Sequence, residues 1–153
     1  MKNSIKILTE LKFEDSCSKT KLPREYVVKT KYTDSTANGL TKCIVDWVNL
    51  NGYQAERIST TGRYIDNSKI VTDVLGNSKR IGSGKYIKGS GTKGSADISA
   101  TIRGKSIKIE VKLNKDKQSD YQIKYQQDIE RAGGIYFIAK DFDQFIEFYK
   151  SLF

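Results

Sequence analysis

Asp97, with Glu110 and Lys112 from the run Glu110-Val111-Lys112, are the residues best placed to do chemistry together. The chain between Asp97 and Glu110 reads as two strands joined by a tight turn around Gly104-Lys105. Side chains alternate across a strand. Ile107, Ile109, Val111 and Leu113 therefore share one face, and Lys108, Glu110 and Lys112 the other. On the preceding strand Ile98, Ala100 and Ile102 lie opposite to Asp97, Ser99 and Thr101. A type II′ turn at Gly104-Lys105 pairs Ile102 with Ile107, Ala100 with Ile109 and Ile98 with Val111, so that apolar faces coincide. A one-residue slip sets Ile102 against Ser106 and spoils all three pairs. In the matched register Asp97 lies opposite Lys112 and diagonal to Glu110, roughly 7–8 Å away at Cα.

Two carboxylates converging there repel unless a cation lies between them. Mg2+ suits the place, being a hard ion that takes carboxylate oxygen and keeps several waters, and Mn2+ is its natural substitute. Such a metal polarises a scissile phosphate and lowers the pKa of a bound water. Lys112 can hold the attacking water or stabilise the charge that builds on the phosphorane. The bland alternative is a solvated strand face in which Asp97 simply pairs with Lys112.

Composition narrows the chemistry. The 153 residues hold 27 Lys and Arg against 18 Asp and Glu, a net charge of +9, and no histidine. An excess of cations points to a polyanionic partner, and the phosphodiester backbone is the natural target for the carboxylate pair. The lack of histidine excludes Ser-His and Cys-His hydrolases, histidine general bases and Cys2His2 zinc sites. Catalysis must run on carboxylates, lysine, tyrosine or a bound metal. The reading that follows is an Mg2+-dependent DNA endonuclease. A non-catalytic nucleic-acid-binding module with a degraded site is the alternative, and an RNA-directed nuclease stands third. No run of 18 apolar residues suggests a membrane partner, and Met1–Leu11 is too charged for a secretory segment. Cys17 and Cys43 lack metal-ligand spacing and read as free thiols, which fits a cytoplasmic location.

The elements that must position the site follow from periodicity. Residues 1–35 show none that is clean and are set apart as an N-terminal extension, with residues 36–153 as the domain. Leu8, Leu11 and Phe13 can line a short element, and Tyr26-Val27-Val28 reads as extended. Leu40, Cys43, Ile44, Trp47 and Val48 recur at helical spacing over 36–50, capped by Ser35 or Thr36 and ended by Asn51-Gly52. Residues 53–59 read as a strand. Residues 60–94 form a long basic, Gly-rich loop with short structured pieces. Its Arg63, Lys79, Arg80, Lys85, Lys88 and Lys93 are candidate phosphate contacts, which give affinity without base choice. Strands return at 96–103 and 106–113, a helix at 119–132 ends on Gly133-Gly134, and a buried strand occupies 135–139. Asp141 opens a last helix whose aromatic side belongs to the core. The order implies an α/β sandwich around a mixed sheet flanked by helices.

The stretch Lys93-Gly94-Ser95-Ala96-Asp97-Ile98, then Ile109-Glu110-Val111-Lys112, Gln118-Ser119-x-x-Gln122 and Ala132-Gly133-Gly134 resembles the PD-(D/E)XK nuclease superfamily, and its VRR-NUC branch in particular. The resemblance covers about residues 90–140 and implies a restriction-endonuclease-like αβββαβ core. It implies Asp97, Glu110 and the Val111 position as metal ligands, Lys112 as the catalytic lysine and Gln122 as a helix residue completing the site, with Ser119 accessory. Ala96 stands where the family usually has Pro. The first helix often carries a further metal-binding Glu in this family. Here Thr36-Ala37-Asn38-Gly39-Leu40 has no acid, and Asn38 sits nearest the place. The family is similar in acting on DNA in replication, repair, restriction or phage functions, which implies the cytoplasm of a bacterial or phage-infected cell. Cutting two strands together would need a homodimer, for which no seam is readable. Gly134-Ile135-Tyr136 is not followed by Tyr-Ile-Gly, and Gly84-Lys85 lacks the upstream glycine and hydroxyl residue of a P-loop, so neither motif carries weight.

Overall fold

The computed structural model describes residues 2–59, 62–87, 89 and 91–153. The chain divides into two compact units, Met1–Ile58 with Gly94–Phe153, and Ser59–Lys93.

The larger unit is α/β, with four helices and a mixed four-stranded sheet. Helix α1 (Asn3–Lys19) is followed by a single 3-10 turn at Arg24–Tyr26 and by helix α2 (Ala37–Leu50). Thr36 caps α2, its hydroxyl accepting from the Gly39 N–H at 3.1 Å. Gly52, at a φ of +80°, turns the chain out into strand β1 (Gln54–Arg57). The smaller unit then supplies β2 (Arg63–Asp66), β3 (Lys69–Thr72), β4 (Ser78–Ile81) and β5 (Gly84–Ile87). Strands β6 (Ile98–Ile102) and β7 (Lys105–Val111), helix α3 (Asp120–Arg131), strand β8 (Ile135–Ala139) and helix α4 (Phe142–Ser151) complete the larger unit. Asp141 caps α4, accepting from the Gln144 N–H at 2.9 Å.

The main sheet runs β1-β6-β7-β8, antiparallel except for the β7–β8 pair, which α3 connects as a parallel crossover. Ile98, Ala100, Ile102, Ile107, Ile109 and Val111 point to one face and meet Leu40, Ile44 and Val48 of α2 and Phe142 and Phe145 of α4 in one core. The aromatic side of α4 is thus core, with Phe142 and Phe145 fully buried. The other face carries Glu110 and is covered by α3, where Tyr125 packs edge-on against Tyr136 at 6.3 Å.

Two expectations change. Residues 3–19 are helical, and Ile5 and Leu8 belong to the same core as the sheet, so this stretch is a layer of the α/β unit and not an appended segment. Its periodicity is masked because Ile7 and Leu11 form a second, outward stripe. The β6–β7 register also differs. The turn is Arg103-Gly104, with both residues at positive φ (+51° and +73°), the signature of a type I′ turn. Ile98 therefore pairs with Ile109, Ala100 with Ile107 and Ile102 with Lys105, a shift of two residues. A two-residue shift keeps every side chain on its own face, so apolar matching does not discriminate against it. The twist of the I′ turn suits the strands, and Arg103 tolerates the left-handed conformation with its guanidinium 4.7 Å from the Phe153 ring centroid.

Candidate active site

The observed register places both carboxylates at the same end of the β6–β7 pair. Asp97 immediately precedes β6, whose first residue Ile98 pairs with Ile109, and its charge acts on Glu110 of β7. Asp97 is fixed at both ends. Its carbonyl accepts from Ile58 N at 2.8 Å, and its Oδ2 accepts from Val111 N at 2.9 Å. An extended residue sends its N–H and C=O to the same edge, so the Val111 carbonyl faces the Asp97 side of β7.

Glu110 is the centre of the cluster. It is 2% exposed, yet it carries a carboxylate. Gln122 donates from Nε2 to Oε1 in a short hydrogen bond, Lys112 Nζ stands 3.1 Å from the same oxygen, and the Tyr136 hydroxyl lies 3.5 Å from Oε2. Gln122 is held by the start of α3, where its Oε1 accepts from the Ser119 N–H at 2.9 Å and from the Ser119 hydroxyl at 3.3 Å. Both ends of the amide are used, and turning it over would aim its oxygen at the Glu110 carboxylate. A glycine makes this approach of α3 possible. Gly94 has a φ of +83°, and a Cβ there would lie 2.5 Å from the backbone of Tyr121.

The electrostatics follow from this crowding. Burial, then the charge of Asp97, raises the proton affinity of Glu110 above that of an ordinary glutamate, and the opposing pull of Lys112 does not cancel them. For Lys112 burial works against the ammonium, but Glu110 and Asp116 outweigh it and its pKa is raised. Lys112 is therefore a fixed cation, bridged to Glu110 and, at 3.5 Å, to Asp116. Burial, then the charge of Glu110, raises the Tyr136 pKa as well, which keeps that hydroxyl protonated as a donor.

Of the residues expected at the site, Asp97, Glu110, Val111, Lys112, Gln122 and Ser119 come together. Asn38 does not join them. It is exposed in the first turn of α2 and takes part in none of the hydrogen bonds around Glu110. Tyr136 and Asp116 were not among the expected residues. Both are pointed out only by pairing, Tyr136 through the parallel β7–β8 register and Asp116 by its position four residues after Lys112. Among the described residues, no group of three or more histidine, cysteine, aspartate and glutamate side chains converges. No helix among them is long and apolar enough to cross a membrane.

The expected phosphate contacts lie in the smaller unit, where the region expected to be a loop holds two short antiparallel sheets, β2–β5 and β3–β4. Arg63 opposes Ile87 and Lys85 opposes Ile65. Lys79 opposes Val71, and Lys69 opposes Ile81. Arg63, Lys79, Lys85 and Lys93 are exposed. Arg80 is exposed too, but Asp66 holds its guanidinium at 2.5 Å and Ser68 accepts from its Nε at 2.6 Å, so part of its charge is already satisfied. Lys88 lies outside the described residues. The chain matches no protein-family model and no curated protein.

Proposed function

We propose that this chain is an Mg2+-dependent endonuclease that hydrolyses phosphodiester bonds in DNA, built on a restriction-endonuclease-like core of the PD-(D/E)XK, VRR-NUC-like kind. One observation carries the reading: the Asp97 carboxylate, bonded to the Val111 N–H, acts electrostatically on buried Glu110, while a lysine ammonium and a glutamine amide both converge on the Glu110 carboxylate. The order α2–β1–β6–β7–α3–β8, three antiparallel strands and a parallel fourth reached through a helix, is the order that the resemblance implies and supports it. Such an enzyme works where DNA is, in the cytoplasm of a bacterial or phage-infected cell.

The donor set fits a hard divalent cation. Asp97, Glu110 and the Val111 carbonyl offer oxygen only; burial first, and then repulsion from Asp97, raises the Glu110 pKa, and a cation would relieve that repulsion. The metal would supply Lewis acidity toward a phosphate and a bound water. The chain's own groups do the rest. Gln122, set by Ser119, locks the Glu110 rotamer. Lys112 remains an ammonium, so it donates to a phosphate or nucleophile oxygen and stabilises developing negative charge; it does not act as a base.

Cleavage of labelled single-stranded, duplex, flap and four-way-junction DNA with Mg2+, Mn2+ or EDTA, beside Asp97→Ala, tests this. Metal-dependent cutting that the variant lacks supports the reading and names the DNA structure. The exposed Asn38, where a further acid is expected, favours a second reading as a non-catalytic nucleic-acid-binding module. Tight binding without cutting under any metal would decide for it.

A further inference from the structure

The smaller unit presents an arrangement that phosphate contacts alone do not explain. Its two short sheets are in phase: Asp66 pairs with Gly84 and, three residues on, Lys69 pairs with Ile81. They are successive stretches of a single two-stranded ribbon. Residues 59–93 hold seven Lys and Arg against two Asp, an excess of five out of the chain's net +9. Each stretch has a face on which every cation is set opposite an aliphatic side chain, so the ribbon offers charge and apolar contact along the same line.

The tip is the unusual part. Asp73 builds it: its carbonyl accepts from Gly76 N at 3.0 Å, and its Oδ1 accepts from Leu75 N and Asn77 N at 2.9 and 2.8 Å. Gly76, at a φ of +84°, completes the reversal. Turn centres usually carry polar residues or glycine. Here the two apical positions are Val74, fully exposed, and Leu75, 84% exposed. A carboxylate cage thus holds two adjacent aliphatic side chains out into water at the end of a cationic ribbon. Ribbons of two strands enter DNA grooves, and apolar side chains driven between base steps from the minor groove unstack and kink the duplex.

We infer that residues 63–87 form a DNA-binding arm that lies in the minor groove of a duplex, with Val74 and Leu75 inserted as a wedge between base pairs. The inference rests on the nucleic-acid part of the function proposed above. It gives the substrate a shape: duplex that is bent or easily unstacked binds best, because the cost of opening a step is then lower.

The test uses the full-length chain in EDTA, so that nothing is cut, and duplexes carrying 2-aminopurine at TA steps with a donor and acceptor dye at the ends. Wild-type protein should raise the 2-aminopurine fluorescence and shorten the end-to-end distance. The Val74→Ser/Leu75→Ser variant should lose both signals and bind about ten-fold more weakly. Its salt dependence should stay unchanged, because no phosphate contact is removed. Lys79→Gln should keep both signals and lower the slope of log K against log salt by about 0.9. Both variants alter exposed side chains, and equal melting temperatures verify that they fold. Wild-type binding with neither unstacking nor bending would overturn the wedge, as would a tip variant that behaves as wild type. Sedimentation in which wild type self-associates and the tip variant does not, with equal DNA binding, would assign the tip to a second copy of the chain and overturn it too. Cleavage under Mg2+ is scored separately. A chain that cuts nothing yet unstacks DNA retains the wedge and loses the nuclease, and one that cuts without unstacking does the reverse.

Discussion

Replacing Glu110 by glutamine should push the protein's stability in opposite directions with and without metal. In the metal-free protein the Glu110 carboxylate is buried against Asp97, and its pKa is raised. A raised pKa means that the native state binds the proton more strongly than the unfolded chain. Stability from this group is then fully present below the unfolded glutamate pKa and is lost as pH rises through the folded one. Glu110→Gln mimics the protonated form at every pH. Its amide can still accept from Gln122, and Lys112 keeps Asp116. Every tenfold in proton affinity is worth about 1.4 kcal/mol, or roughly 3–5 °C in a chain of this size. In EDTA the variant should therefore melt above wild type at neutral pH, and the gap should close as pH falls below the ordinary glutamate range. With Mg2+ or Mn2+ at a hundred times Kd, wild type should gain about 2.7 kcal/mol, roughly 5–10 °C, and the variant nothing. The assay is a thermal melt followed by fluorescence of Trp47, the chain's single tryptophan, which packs edge-on against Phe142 and reports the α/β unit alone. A variant that melts lower in EDTA, or one that keeps the metal shift, would refute the reasoning, because Glu110 would then be a net stabilising ion pair or no ligand.

Three further outcomes follow from the same geometry. Lys112→Ala should bind Mn2+ at least as tightly as wild type in calorimetry, since a cation beside the metal is gone, while cleavage falls by a factor of about 10²–10³. Gln122→Leu frees Glu110 from α3 and leaves the Ser119 N–H without its partner; a loss of cleavage and of α3 hydrogen-exchange protection should appear together, and loss of neither would show that Gln122 is merely adjacent. Gly94→Ala forces a left-handed residue against Tyr121 backbone 2.5 Å away, so its melting temperature should fall by more than the 1–3 kcal/mol of backbone strain alone implies.

The elements that were legible in the sequence are those whose ends carry their own chemistry. Thr36 accepting from Gly39, Ser119 with Gln122, and Asp141 accepting from Gln144 each mark a helix start by a local hydrogen bond, and Gly52 and Gly133 mark two ends by positive φ. Helix α1 had no such marks. Lys2 precedes it without a side-chain cap, and its apolar residues fall on two sides, Ile5 and Leu8 inward, Ile7 and Leu11 outward. Within the site, alternation alone could put Asp97 and Glu110 on one face. It could not say which residue stood opposite which. That depended on Arg103 adopting a left-handed conformation, a choice no hydrophobic pattern records.

The register difference changes the chemistry as well as the bookkeeping of the strands. With Asp97 opposite Lys112, the hairpin would neutralise itself, and the bland ion-pair account would suffice. In the observed register the Asp97 charge instead acts against the Glu110 carboxylate, and neighbouring like charges are destabilising. Lys112 answers only part of that, because it sits on the Glu110 oxygen that Gln122 also holds, and Asp116 draws on it from the other side. Asp97 spends one oxygen on the Val111 N–H, the very residue whose carbonyl faces the same edge. Burial, and then repulsion from Asp97, leaves Glu110 with a raised proton affinity, and that repulsion is what the proposed divalent cation would relieve.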